Sequence, residues 1–331
     1  MRIDGANQPK NVLMKLELKE LETDLLTTSC EYALLVPEDG GEGLPLLYLL
    51  HGGGGSRDML ARQQLQLETA INGGVIDPVV IATPSAGVSY YMDSIDGKER
   101  WETLLMTELR DDIRQQTGAD VDRLLVTGVS MGGVGSLRLA FRNPNHFVGV
   151  ASLEAGVDPF LRLEDMPDWY AMTVSDRIGD KFGDPVDENF WAKNNPANIA
   201  ANDPDRLIES RLKIMLEVGT HDGLFNHHNV EFLHRVLFDH GIKHEYRTVL
   251  GANHIGQSMP DRMRAALSFL NIALNPRHRI PLRMPSVHRW LKACVRWASN
   301  HLRSKRSASP ALRINRTESW HVALKFVPDP L

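Results

Sequence analysis

Only two cysteines, Cys30 and Cys294, occur in the chain, and neither stands in a C-x-x-C or other ligand-spaced motif. A disulfide scaffold and a thiolate metal site are thereby excluded, and a reduced, cytoplasmic protein is the expectation. No apolar run reaches 18 residues, so no transmembrane helix is expected. The opening stretch lacks a basic region followed by an apolar one, and no secretory signal is read there. No G-x-x-x-x-G-K-[ST] occurs and no G-x-G-x-x-G opens a helix, which argues against a nucleotide phosphate cradle. H-E-x-x-H is also missing, and no internal repeat or low-complexity tract is found.

What remains is an ordinary globular composition, 42% hydrophobic and 24% charged, over 331 residues. Charge is unevenly spread. Residues 277–331 hold 12 Lys+Arg against 2 Asp+Glu, whereas the whole chain is net −5. The shift marks a boundary near Asn275-Pro276, with a catalytic domain expected over 1–276 and a basic C-terminal extension over 277–331. In the extension Val287, Trp290, Cys294 and Trp297 recur at three- and four-residue intervals, with Arg289, Lys292 and Arg296 between them. That is a basic amphipathic helix, able to dock on the acidic body, an anionic membrane or nucleic acid. The reading favoured here is a docked or disordered extension with no catalytic part and no nucleic-acid partner. The run Arg303–Arg306 and Pro310 point to flexible chain after it.

The first 276 residues alternate strand-like and helix-like segments. Strands are expected at Val12–Leu18, Cys30–Val36, Leu46–Leu50, Val79–Ala82, Leu124–Val129, Val148–Leu153, Ile214–Val218 and Glu245–Val249. Helices are expected at Arg57–Ile71, Glu99–Thr117, Gly133–Arg142, Leu224–His240 and Pro260–Ala273. Short apolar strands separated by helices imply an α/β fold, a mostly parallel sheet covered on both faces. The first two strands have no helix between them and imply an antiparallel start. The stretch from about 154 to 211 breaks the alternation with several turn signals and six aromatics, and reads as a lid-like insertion.

Gly128-Val129-Ser130-Met131-Gly132 is G-x-S-x-G, placed between the apolar run Arg123–Val129 and the helical run that follows. In that context the serine sits on a sharp strand-to-helix turn with its hydroxyl outward. A serine hydroxyl needs an adjacent base, and the base an orienting acid. The α/β-hydrolase arrangement puts them in the order Ser, Asp/Glu, His, on loops after later strands. Asp222 follows Lys213–Gly219 directly, and His254 follows the last strand; these are the candidate acid and base. An oxyanion hole needs two backbone N–H donors. Met131 supplies one, and Gly53 in the loop His51-Gly52-Gly53-Gly54-Gly55 the other, with Gly54 the alternative. A local run of histidines, with His227 and Glu231 four apart, lacks the further ligand that zinc sites want, so no metal is expected.

Tyr48–Gly54, Trp101-Glu102-Thr103 with Glu108-Leu109, Gly128–Gly133, and Asn143-Pro144 with Phe147 resemble the esterase D-like family of α/β-hydrolases. Phe182–Pro185, Phe190-Trp191, Asn195-Pro196-Ala197 and Asp222 with Asn226, Phe232 and Leu237 are similar to its bacterial esterase members. The resemblance spans about residues 12–275. It implies the α/β-hydrolase fold, a Ser130-Asp222-His254 triad, a Met131–Gly53 oxyanion pair and two-step acyl transfer with no cofactor. The implied substrate is a small-molecule carboxylic ester with a small or aromatic acyl group. The family also includes S-formylglutathione hydrolases, feruloyl esterases and mycolyltransferases. S-formylglutathione hydrolases usually carry a non-glycine residue where Gly53 stands, and mycolyltransferases use Glu as their acid. Phe160, Phe190 and Trp191 are candidate lining for the substrate pocket. An acyltransferase using an alcohol acceptor and a non-catalytic binding protein are the alternative functions, and a homo-oligomer stays open.

Overall fold

The computed structural model describes residues 11–171 and 181–276. Their strands are β1 (Met14–Leu21), β2 (Cys30–Pro37), β3 (Pro45–Leu50), β4 (Val80–Pro84), β5 (Asp120–Val129), β6 (Phe147–Leu153), β7 (Lys213–Gly219) and β8 (Glu245–Val249). They form one eight-stranded sheet in the order β1-β2-β4-β3-β5-β6-β7-β8. β1 and β2 pair antiparallel, β2 and β4 likewise, and every later pairing is parallel. The antiparallel start expected from the missing first helix is therefore present.

The uninterrupted apolar run of β3 has a direct cause: both faces of the sheet are covered. Leu46, Tyr48 and Leu50 enter one core with Leu104, Leu109, Leu137 and Phe141. Leu47 and Leu49, one residue out of phase, enter a second core with Leu60, Leu67, Met263, Leu267 and Leu270. The second core is closed by α1 (Asp58–Asn72) and by α9 (Met259–Leu274). The first lies under α2 (Trp101–Met106), α3 (Glu108–Thr117), α4 (Met131–Arg142) and α8 (Asn226–Asp239).

The single helix expected over Glu99–Thr117 is two helices, broken at Thr107, where φ is −126° and ψ −94°. The Thr107 hydroxyl bonds back to the Thr103 carbonyl at 2.6 Å, a side-chain bond that bends helices. The bend lets Leu104, Leu105, Leu109 and Ile113 all reach the same core.

The segment over 154–211 also departs from its reading. Two of its turn signals, Asn195-Pro196 and Asp203-Pro204, are helix starts with proline in the first turn. They open α6 (Pro196–Asn202) and α7 (Pro204–Ser210), after α5 (Glu188–Asn194). Ala197, Ile199, Ala200 and Leu207 of these helices belong to the main core, so this part is body rather than lid. Residues 277–331, with the amphipathic helix expected there, lie outside the described residues.

Candidate active site

β5 ends at Val129 and α4 begins at Met131, so Ser130 alone makes the turn, with φ 60° and ψ −119°. Such a conformation costs a non-glycine residue about 1–3 kcal/mol, and surrounding bonds must hold it. The Ser130 N–H donates to the Leu153 carbonyl at 2.9 Å, and the Ser130 carbonyl accepts from Val134 N–H at 3.0 Å. Glycine is required on either side by contact. A Cβ on Gly132 would lie 2.2 Å from the Leu50 carbonyl oxygen, and one on Gly128 would lie 2.5 Å from that of Gly132.

The glycine loop after β3 is fixed by His51, which is 1% exposed. Its Nε2 accepts from Ala86 N–H at 2.9 Å, so the proton is on Nδ1, which donates to the Gly52 carbonyl at 2.7 Å. Burial lowers the His51 pKa, keeping the ring neutral as this pairing needs. Gly54 N–H is committed to the Gly87 carbonyl at 3.1 Å and Gly55 N–H to the Gly52 carbonyl at 3.0 Å. Gly53, Ser130 and Met131 line one cleft of about 290 Å³ with Tyr90, Tyr170, Leu224, Phe225 and Asn226. As the first residue of α4, Met131 has no acceptor within the helix for its N–H.

Asp222 and His254, 32 residues apart, meet through the loops that follow β7 and β8. Asp222 Oδ2 accepts from His254 Nδ1 at 2.9 Å, and Oδ1 accepts from Leu224 N–H at 2.6 Å. The Asn253 side chain joins the loops by accepting from Gly223 N–H at 3.0 Å. Burial opposes ionisation of Asp222. Hydrogen bonds from His254, Glu154 and the Leu224 N–H outweigh it and bring its pKa down to about 2. No hydrogen bond joins the Ser130 hydroxyl to His254 in this structure; the ring's contacts are with Asp222 and, at 3.4 Å, Asn226.

Three side chains expected in the substrate pocket are elsewhere. Phe160 and Trp191 are 2% and 1% exposed and stack at 5.2 Å in a small core with Tyr170. The Trp191 indole N–H donates to Asp158 Oδ2 at 2.7 Å, turning the ring away from solvent. Phe190 tilts against Phe182 at 6.1 Å. Tyr90, Tyr170 and Phe225 supply the aromatic lining instead. Phe225 and Leu224 could have been suspected, since they stand beside Asp222 at the end of a strand.

Next to the Asp222–His254 pair lies a charged cluster that the sequence reading missed. Arg262 of α9 donates from Nε to Glu217 Oε1 at 2.8 Å, from Nη1 to the Asn253 carbonyl at 3.2 Å, and pairs through Nη2 with Glu154 Oε1. The signal was a Glu inside the apolar strand KIMLEVG and an Arg on the buried face of a helix. Among the described residues, Glu154, Asp222 and His254 are the group whose ligand atoms, within 4.8 Å of one another, could hold a cation. Chelation there would need His254 Nδ1 to give up the proton it shares with Asp222. The histidine run holds no such group among the described residues; His234 and His244 pair with each other at 2.8 Å.

Residues 25–257 match the model of the family described as "Putative esterase", well over half of the chain. The chain belongs to that esterase family. It is 29% identical over 269 residues to Esterase Rv1288 of Mycobacterium tuberculosis (strain ATCC 25618 / H37Rv), covering 73% of this chain and 56% of that one. It is 29% identical over 169 residues to the diacylglycerol acyltransferase/mycolyltransferase Ag85A of Mycobacterium ulcerans, covering 48% and 50%. The chain thus spans about half the length of the curated relatives it matches. A solved ferulic acid esterase superposes with a TM-score of 0.63 at 21% identity, over 79% of this chain and 99% of that one. The fold of this esterase-family chain is the α/β-hydrolase fold. No helix among the described residues is long and apolar enough to cross a membrane.

Proposed function

We propose that this chain is a serine carboxylesterase that hydrolyses esters of small or aromatic acyl groups. The observation that carries the reading is the strained Ser130 turn opening on the cleft that holds Gly53 and Met131, with the Asp222–His254 pair on the adjoining loops. Family membership and the named esterase relative support the reaction class. Ser130 attacks the ester carbonyl while His254 takes its proton and Asp222 stabilises the imidazolium. The Gly53 and Met131 N–H groups bind the oxyanion. His254 then protonates the leaving alcohol, and the same base activates the water that frees the acid. A closing movement of His254 toward Ser130 completes the chain, since catalytic bonds are often long without substrate. A cleft of about 290 Å³ suits a small acyl group.

Acyl transfer to an alcohol is the second reading, favoured by the likeness to a diacylglycerol acyltransferase/mycolyltransferase. Hydrolysis of p-nitrophenyl esters from acetate to octanoate, and of a feruloyl ester, tests the first. Wild type is expected to be active, with rates falling for longer chains, and Ser130→Ala to lose at least about 10³-fold. Equal rates in both proteins would overturn the assignment. An added alcohol that diverts the acyl group into a new ester would select the transferase.

A further inference from the structure

Glu154 follows the last residue of β6 with φ 51°, and its carboxyl is fully buried. Oε1 is well served: it accepts from Gly219 N–H at 2.8 Å and pairs with Arg262. Oε2 is buried with no hydrogen-bond donor beside it. The Glu154 carboxyl lies close to Asp222 instead: an oxygen of each carboxyl and a ring nitrogen of His254 lie within 4.8 Å of one another. Two buried carboxylates this close repel each other when both are ionised, which favours a proton on one of the pair that it can donate to the other. Asp222 is not the one, because its oxygens already accept from His254 and from Leu224 N–H.

We propose that Glu154 is a positioning residue of this esterase site, a neutral carboxylic acid whose Oε2–H donates to Asp222. The chain of groups is then Glu154, Asp222, His254 and Ser130, and the inference rests on the serine-esterase reading. The bond holds the Asp222 carboxylate toward His254 Nδ1 and anchors the acid loop to the end of β6. It is charge-assisted and shielded from water, the setting in which such bonds are strongest.

The surrounding charges agree. Arg262 from α9 meets Glu154 and pairs also with Glu217 of β7, which in turn meets Arg247 of β8, itself paired with Glu245. His254 from the last loop bonds Asp222, and Asn226 of α8 contributes a neutral amide that bonds the Glu154 carbonyl. With Glu154 neutral, the buried Arg262 balances the buried Glu217. Ionising Glu154 would add an uncompensated negative charge beside Asp222. Burial, followed by the bond to Asp222, pushes the Glu154 pKa up to about 8 against the opposing pull of Arg262. A folded-state pKa above the unfolded one means that stability from this group is complete at acid pH. It is lost progressively as pH rises toward 8.

The test compares wild type, Glu154→Gln and Glu154→Ala across pH 5.5–10, reading kcat and KM on a p-nitrophenyl ester and Tm in parallel. Glutamine keeps an N–H donor toward Asp222 at every pH. Expected are a wild-type kcat that falls as pH rises through about 8, and a Glu154→Gln kcat that is near wild type at pH 7 and lacks this alkaline fall. For Glu154→Ala, kcat falls about 10–100-fold at pH 7 with KM little changed. The Tm advantage of Glu154→Gln over wild type should grow as pH rises. A glutamine variant as impaired as the alanine one, or an unaltered alkaline limb, would overturn the proposal. The Tm comparison needs no turnover, so it separates this inference from the activity itself: no hydrolysis in wild type would sink the esterase reading and leave the protonation result standing.

Discussion

A methyl group added at Gly132 would meet the backbone carbonyls of Leu50 and His51 at 2.2 and 2.7 Å, and backbone cannot rotate aside as a side chain can. Gly132→Ala is therefore expected to lose about 3 kcal/mol or more in urea unfolding, whereas Ser130→Ala should keep wild-type stability to within about 1 kcal/mol. A Gly132→Ala protein as stable as wild type would show that the elbow is looser than these contacts state. At this scale the site was legible wherever its chemistry is local in sequence. Ser130, Met131 and Gly132 are neighbours, and Gly53 sits in a loop that follows a strand directly. Glu154 was not legible, because its proposed role arises from closeness to Asp222 and pairing with Arg262, which no spacing pattern connects.

Elements were legible to the extent that their cause was periodicity. Strands β2 to β7 follow apolar runs, β1 alternates leucine with charged residues, and the parallel pairings follow from the helices between their strands. Three features escaped periodicity: the Thr107 break, made by a side-chain bond to Thr103; the helices α6 and α7, whose opening prolines read as turns; and the aromatic core around Trp191, made by residues distant in sequence. Aromatic side chains clustered between sheet strands suggested a pocket wall. Asp158, accepting from both the Trp191 indole and the Tyr170 hydroxyl, makes Phe160 and Trp191 a packed unit instead. Trp191→Ala is thus expected to cost about 3–5 kcal/mol of stability in denaturant melts. Phe225→Ala, at a cleft residue that is 47% exposed, should leave the melt unchanged and raise KM for aromatic acyl esters. The reverse pattern would return Trp191 to the substrate pocket.

Across the whole molecule, the candidate groups come from loops at the carboxyl ends of β3, β5, β7 and β8, the edge where open α/β sheets gather their ligands. The sheet order puts β5 between β3 and β6, so the glycine loop and the elbow are neighbours, while β7 and β8 bring acid and base side by side. Arg262, reaching from α9 to Glu217, Glu154 and the Asn253 carbonyl, ties three of these loops and strands from below. The proposed consequence of this convergence is a nucleophilic Ser130. Labelling with a fluorophosphonate, followed by peptide mass spectrometry, measures it without any choice of ester. A single adduct is expected on the peptide holding Ser130, absent in Ser130→Ala and formed much more slowly in His254→Ala. No adduct on the folded protein, or an adduct on a different serine, would contradict it.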